Sequence, residues 1–291
     1  MENNIVIFAP AKLNLYLKVI RKIENGYHEI ITLFEKIALF DKISIRIDNK
    51  IKKTKICCDN LNVPVCDNSL MQKAINLYCR KSKINERFSI QIKKKIPIAA
   101  GLGGASSDVA AILKGINSLN NNILNKEELI DIASTLGSDI SFFIENSSFA
   151  YGFNRGERIK QINTKLRLWH VLVKPKIQIF TKDVYNKVSD FDLTKYEDID
   201  KLFSSFLEEE DTNSITKYMF NSLQKIVLNM FPELNIIFDV LKDFGAKKVL
   251  LSGSGSTVFG IFDKEKIEEK IQDFKKFFKK DKYKIFIVET C

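Results

Sequence analysis

The chain has 291 residues, of which 45% are apolar, and a formal net charge of +10. That length accommodates about two domains with a core burying roughly three quarters of the unfolded surface, and no apolar run reaches the roughly 18 to 20 residues of a membrane span, which predicts a soluble protein. Five cysteines (Cys57, Cys58, Cys66, Cys79, Cys291) without a C-x-x-C pair and only two histidines (His28, His170) argue against a disulfide framework, a zinc site and most histidine-based relays, so acid-base work falls mainly on Asp, Glu or Lys.

Apolar periodicity predicts strands over Asn4–Phe8, Leu13–Ile20 and Lys42–Ile47. Helical spacing over Ser69–Lys81 follows Asp67-Asn68, where an Asx side chain is expected to cap the start, and Phe88–Lys94 alternates as a strand. The Gly-rich segment at Ile96–Ala111 leads into a helix, a second helix runs from Lys126 to Leu136 and stops at Gly137, and Phe149–Phe153 is a strand. A boundary is expected near Asn154–Leu166. Beyond it come a strand at His170–Lys174, several helices between Thr181 and Phe244, and a stop at Gly245. The end reads as strand Lys248–Leu251, loop Ser252–Ser256, strand Thr257–Phe262, amphipathic helix Lys264–Lys279 and strand Lys284–Glu289, an α+β sandwich. No repeat or low-complexity linker separates the halves.

IPIAAGLGGASSDVAA has the chemistry of a phosphate loop. Gly101, Gly103 and Gly104 let the backbone approach a ligand closely, and Ser106 and Ser107 bring hydroxyls to a helix start whose amides and dipole favour an anion. The plainer reading is a tight connection. The segment is neither a Walker A loop nor a G-x-G-x-x-G fingerprint, and the absence of an HRD triplet argues against a protein kinase. The positive charge admits a nucleic-acid partner, yet lysines spread along the whole chain among Ile and Asn read more simply as compositional bias. No basic leader precedes the first apolar run, so a cytoplasmic location is expected.

Three separated segments matter together: APAKLNLYL at Ala9–Leu17, the loop at Pro97–Asp108, and SGSGSTVFG at Ser252–Gly260. In this order they resemble the GHMP family of small-molecule kinases, named for galactokinase, homoserine, mevalonate and phosphomevalonate kinases, over nearly the full length. NGYHEIITLFEKIALFD at Asn25–Asp41 and LGSDISFFI at Leu136–Ile144 are similar to a branch whose acceptor is a cytidine diphosphate-linked methylerythritol, with Ser138 and Ser141 replacing its usual Ala and Pro.

The resemblance implies a two-domain α+β GHMP kinase fold: an N-terminal ribosomal-protein-S5-like α/β sandwich over residues 1–160 and a C-terminal ferredoxin-like α/β sandwich over 161–291. It implies ATP-dependent phosphorylation of the acceptor's 2-hydroxyl with Mg²⁺, a small-molecule substrate, no nucleic-acid or membrane partner, and a monomer or homodimer. The triphosphate is expected on Pro97, Ala99, Ala100, Gly101, Leu102, Gly103, Gly104, Ala105, Ser106 and Ser107, with Gly253 and Gly255 beside it and adenine near Asn68 and Lys94. The protein groups that meet Mg²⁺, a loop hydroxyl among the candidates, stay open. Ala99, Ala100 and Ala105 stand where glycines are frequent, a change expected to be tolerated at negative φ.

The resemblance assigns catalysis to Lys12 and Asp139. Asp139 can accept the hydroxyl proton, and Lys12 can keep that carboxylate ionised and neutralise charge as the phosphoryl moves. Asn14, two residues from Lys12, shares its strand face. By themselves, such a Lys and Asp would more often form a surface ion pair or nothing. Tyr27 and His28 are implied to hold the cytosine, with Tyr185 on its opposite face and Thr181 nearby; on residue type alone they are equally a turn pair and plain packing. SGSGS alone is equally an ordinary strand-connecting turn.

Overall fold

The extended backbone runs straight through Pro10, so the two strands expected there are one, β1 (Asn4–Lys22), alternating in burial up to Pro10 and buried throughout from Ala11 to Val19. Proline lacks an N–H, but β8 (Phe220–Asn221) meets β1 only at Tyr16 and Leu17, so Pro10 removes no bond of that ladder. β2 (His28–Ile47) is also far longer than the Lys42–Ile47 expected. Its first two thirds are buried on both faces, which erases the polar alternation by which a strand is read.

The computed structural model describes residues 3–23, 26–188, 212–279 and 281–291. The remaining elements, in order, are β3 (Lys55–Cys58), α1 (Leu70–Ser82), β4 (Phe88–Lys93), α2 (Gly104–Leu119), α3 (Lys126–Leu136), α4 (Ile140–Ile144), β5 (Phe149–Phe153), β6 (Arg158–Ile162), β7 (Trp169–Pro175), α5 (Thr181–Tyr185), α6 (Thr212–Tyr218), α7 (Leu223–Met230), α8 (Asn235–Asp243), β9 (Lys248–Leu251), β10 (Val258–Phe262), α9 (Lys264–Phe277) and β11 (Tyr283–Glu289). The short strands β3 and β6 were not expected. Any helix expected over residues 189–211 lies outside the described residues. No helix among the described residues is long and apolar enough to cross a membrane.

Two compact units divide the chain. The first takes the chain up to Ala11, Leu39–Ile98 and Gly103–Asn146; the second takes Lys12–Ala38, Ala99–Leu102 and Ser147–Cys291. In the first, β3 runs parallel to β4, and β4 runs antiparallel to the end of β2, with Ile92 opposite Ile43 and Ile90 opposite Ile45. Helices α1 to α4 pack on one another, and α2, buried from Ser107 through Leu113, is their centre. Helix α1 is capped by Ser69, whose Oγ accepts the Gln72 amide at 3.2 Å, not by the Asx pair expected; Asp67 and Asn68 are exposed in the preceding turn. Helix α3 keeps its expected bounds because Asn125 and Glu128 form a reciprocal capping box.

In the second unit a four-stranded antiparallel sheet has the order β11-β7-β10-β9. Its apolar residues Val171, Val173, Leu251 and Val258 join Ile237, Leu241 and Phe274 of the helices in one core. β5 pairs antiparallel with β2 and with β6, which occupies the stretch where a boundary was expected. Glu35 and His170 are fully buried in contact at 2.9 Å, and Thr290 Oγ1 donates to Glu35 at 2.6 Å, tying the chain's end to β2 and β7.

One polar network holds the helices of the first unit. Asn117 of α2 accepts from the Tyr78 hydroxyl at 3.0 Å and the Leu124 amide at 3.0 Å, and donates to the Leu124 carbonyl at 2.9 Å. Asn117→Ala orphans all three partners and is expected to cost about 2–4 kcal/mol in urea denaturation, against about 1 kcal/mol for Tyr78→Phe, which removes one bond. Equal costs would show that the network is not centred on Asn117.

Candidate active site

The second unit carries the first motif's side chains. Lys12 and Asn14 project from the same face of β1 and are 4% and 2% exposed. Lys12 Nζ donates to Asn14 Oδ1 and stands 5.5 Å from the centre of the Phe34 ring. The other end of the Asn14 carboxamide donates to Thr32 Oγ1 at 2.8 Å, and that hydroxyl donates to the Tyr16 carbonyl at 2.7 Å. Asn14 is thereby fixed with its oxygen toward the ammonium. Thr32 was not singled out from sequence, although it shares a face of β2 with His28 by the two-residue period.

Parts of the second and third motifs meet beside these side chains. Gly101 has φ +75°, and a Cβ placed on it would lie 2.0 Å from the Ser252 carbonyl oxygen, so only glycine permits the approach. Ser252 Oγ donates to the Gly101 carbonyl at 2.9 Å, the Thr257 amide to the Ala100 carbonyl at 3.2 Å, and the Lys12 amide to the Leu102 carbonyl at 3.0 Å. Gly253, at φ +57°, faces Asn14 and Lys12: a Cβ there would lie 3.2 Å from Asn14 Oδ1 and 3.5 Å from Lys12 Nζ. Asn221, also unforeseen, holds this turn by donating to the carbonyls of Leu251 at 2.8 Å and Gly253 at 2.7 Å. Ala99 departs from expectation with φ +49°, because the turn into Gly101 needs the left-handed region there and an Asn or Gly is not supplied.

The residues implied to hold the base also lie in the second unit. Gly26 turns the chain at φ +81°, leaving Tyr27 56% exposed with the Arg155 guanidinium 5.1 Å over its ring. His28 is buried, and its ring lies 5.2 Å from that of Tyr185, tilted by 40°. Burial, with Lys22 adding to it, lowers the His28 pKa, so the imidazole is neutral near pH 7 and offers one donor and one acceptor. Thr181 Oγ1 and Ser254 Oγ share a hydrogen bond of 2.9 Å, joining the start of α5 to the third motif; Gly255 follows in the same turn.

The first unit holds the rest. Gly103, at φ +68°, precedes α2, and no side chain caps that helix. Its first-turn amides are left for an anion at the positive end of the dipole. Gly104, Ala105 and Ser106 form that first turn, with Ala105 exposed, while Ser107 is buried 1% exposed with its hydroxyl lacking a hydrogen-bond partner. Pro97 is half-buried in the preceding turn. The Lys94 ammonium is enclosed by Asp41 and Asp108; burial alone would lower its pKa, but the two carboxylates hold it above the ordinary lysine value. Burial pushes the Asp108 carboxyl up to about 7 against the pull of Lys94. Asp139 is half-buried at the start of α4, three residues after α3 ends. Lys12 and Asp139 therefore belong to different units.

The second unit thus offers a buried ammonium with a fixed amide beside a glycine turn, and aromatic rings by a neutral imidazole; the first offers an uncapped helix start after a glycine loop. Among the described residues no three His, Cys, Asp or Glu side chains cluster to hold a metal ion.

The chain matches the family profile "GHMP kinases N terminal domain" over residues 69–146 and "GHMP kinases C terminal" over residues 203–280. It is 38% identical over 288 residues, 98% of this chain and 94% of the relative, to the 4-diphosphocytidyl-2-C-methyl-D-erythritol kinase of Shouchella clausii. With the protein of that name from Bacillus subtilis it shares 36% identity over 263 residues, 90% of each chain. A solved 4-(cytidine 5'-diphospho)-2C-methyl-D-erythritol kinase superposes with a TM-score of 0.79 at 27% identity, covering 98% of this chain and 99% of that one. Homoserine kinase from Cytophaga hutchinsonii superposes equally well, with a TM-score of 0.79 over 100% of this chain and 95% of the other, but at 18% identity that likeness is one of fold. The chain belongs to the GHMP kinase family and is a small-molecule kinase with that family's N- and C-terminal domains in an α+β fold.

Proposed function

We propose that this kinase transfers the γ-phosphoryl group of ATP to the 2-hydroxyl of 4-diphosphocytidyl-2-C-methyl-D-erythritol, giving the 2-phosphate and ADP in the non-mevalonate route to isoprenoid precursors. The observation that carries the reading is the buried Lys12–Asn14 pair packed against Gly253, which brings a fixed ammonium and amide of the first motif to the glycine turn of the third. Its location is the cytoplasm, as a monomer or homodimer, with no nucleic-acid partner.

Phosphoryl transfer to an alcohol needs positioning and charge stabilisation more than covalent chemistry. Lys12 supplies a fixed positive charge for the phosphoryl oxygens in transfer, and Asn14, locked by Thr32, orients polar groups of the acceptor. Asp139 accepts the hydroxyl proton as the oxygen attacks in line. Tyr27 stacks on the cytosine, neutral His28 reads its edge, and Tyr185, already in contact with His28, closes the opposite face. Thr181 contributes a hydroxyl to the same substrate. ATP lies with its triphosphate on residues 97–107, beside Gly253 and Gly255, and its adenine beside Asn68 and the Lys94 segment. The unpartnered, buried Ser107 hydroxyl at the uncapped start of α2 fits a ligand of Mg²⁺ held chiefly by phosphate oxygens. When bound, that ion offsets phosphate charge and orients the γ-phosphoryl group.

The direct test is ADP release by purified protein with ATP and Mg²⁺, comparing 4-diphosphocytidyl-2-C-methyl-D-erythritol with homoserine, mevalonate, galactose and no acceptor. Release only with the cytidine-linked alcohol is expected; release with another alcohol instead overturns the acceptor assignment. Asp139→Asn is expected to lower kcat by about 10²- to 10⁴-fold with little change in ATP affinity, and unchanged turnover would remove Asp139 from the mechanism.

A further inference from the structure

Both ends of the phosphate loop that lie in the first unit are tied to one buried ammonium. The chain enters the loop after β4. There Asp41 of β2 accepts the amides of Lys95 at 2.5 Å and Ile96 at 2.8 Å through a single oxygen, Oδ1. Its other oxygen accepts from Lys94 Nζ, and the same ammonium donates to Asp108 Oδ2 at 2.6 Å, five residues into α2. The three side chains are 5%, 0% and 1% exposed for Lys94, Asp41 and Asp108. Lys94 is also held by its backbone, its amide donating to Asp59 Oδ1 at 2.9 Å.

Burying one ammonium with two carboxylates is a poor way to gain stability, because desolvation of the charges offsets most of their attraction and an apolar cluster of equal volume often does as well. What the charges add is directional hold. The ammonium joins the residues that enter the loop to the helix that leaves it, and a Cβ on Gly104, the first residue of α2, would lie 3.0 Å from Ile96 Cγ2 and 3.4 Å from Lys94 Nζ. The first residue of α2 thus lies close to Ile96 at the loop's entry and to the Lys94 ammonium.

We propose that Lys94 is a positioning residue for the triphosphate: through Asp41 and Asp108 it clasps the loop's entry to the start of α2 and sets the aim of the first-turn amides, while its ammonium makes no contact with the base. The inference rests on the reading of this loop as the ATP site. A positioning role through the triphosphate must be blind to the base. Loss of the ammonium therefore weakens every ligand that carries the phosphate chain by one common factor, and leaves a ligand of the acceptor pocket untouched.

The experiment is equilibrium binding of Mg·ATP, Mg·GTP, inorganic tripolyphosphate and cytidine diphosphate to the full chain and to Lys94→Gln. Lys94→Gln/Asp108→Asn serves as a second variant that keeps the cluster at the parent's net charge, with Asp41 still accepting the Lys95 and Ile96 amides, so a folded protein is available for the measurement. The expected result is a rise in Kd of about 10- to 100-fold, shared by ATP, GTP and tripolyphosphate, an unchanged ATP-to-GTP ratio, and cytidine diphosphate affinity within about twofold of the parent. Weakened ATP with unchanged tripolyphosphate would overturn the inference by placing the ammonium on the nucleoside. Equal weakening of cytidine diphosphate would overturn it by showing a general loss of structure, as would unaltered binding of all four ligands. A parent protein that binds neither ATP nor tripolyphosphate would remove the ATP reading itself and the inference with it.

Discussion

At Gly101 the Gly-rich loop and the third motif run so close that the Ser252 carbonyl oxygen lies 2.0 Å from where any other residue would carry its Cβ. This side-chain-free approach lets main-chain groups do the joining. Ser252 Oγ reaches the Gly101 carbonyl, the Thr257 amide reaches Ala100, and the Lys12 amide reaches Leu102. The backbone of β1 is thereby registered to the loop, which in turn fixes where Lys12 and Asn14 project. Gly253 repeats the device on a smaller scale, packed so that a Cβ there would lie 3.2 Å from Asn14 Oδ1 and 3.5 Å from Lys12 Nζ.

Polar side chains then convert that backbone frame into a fixed site. Asn14 is caught between an ammonium and a hydroxyl, and Thr32 is caught in turn by the Tyr16 carbonyl, so each group has one low-energy orientation. Asn221 plays the corresponding part for the glycine turn with two carbonyls and, through its oxygen, the Leu223 amide at 2.9 Å. Buried networks of this kind are rigid when every member is satisfied. Catalysis by positioning depends on such rigidity, since small displacements of a fixed charge cost much of its effect.

What could be read from sequence follows from the range of the physics involved. The face shared by Lys12 and Asn14 is a two-residue spacing, and the bounds of α3 rest on Asn125 and Glu128 within one helical turn. The glycine loop ahead of α2 and the turn between β9 and β10 are likewise local signals. By contrast, Thr32, Asn221 and the Asp41–Lys94–Asp108 cluster matter through partners 14 to 55 positions away, beyond the reach of any local pattern. Local reading also failed where two local rules competed. Ser69 displaced the Asx pair before it as the cap of α1, the double-sided burial of β2 concealed its length, and the turn at Ala99 imposed a positive φ on a residue with a Cβ.

On the proposed reading of residues 97–107 as the triphosphate site, a working loop requires the close approach at Gly101, so the most direct measurement is steady-state turnover of Gly101→Ala, with circular dichroism to show that it is folded. The added methyl cannot share space with a backbone carbonyl, and the account predicts a folded protein whose kcat/KM for ATP falls by about 100-fold or more. Turnover equal to that of the parent would contradict it, because the loop and the third motif would then have been free to part without consequence.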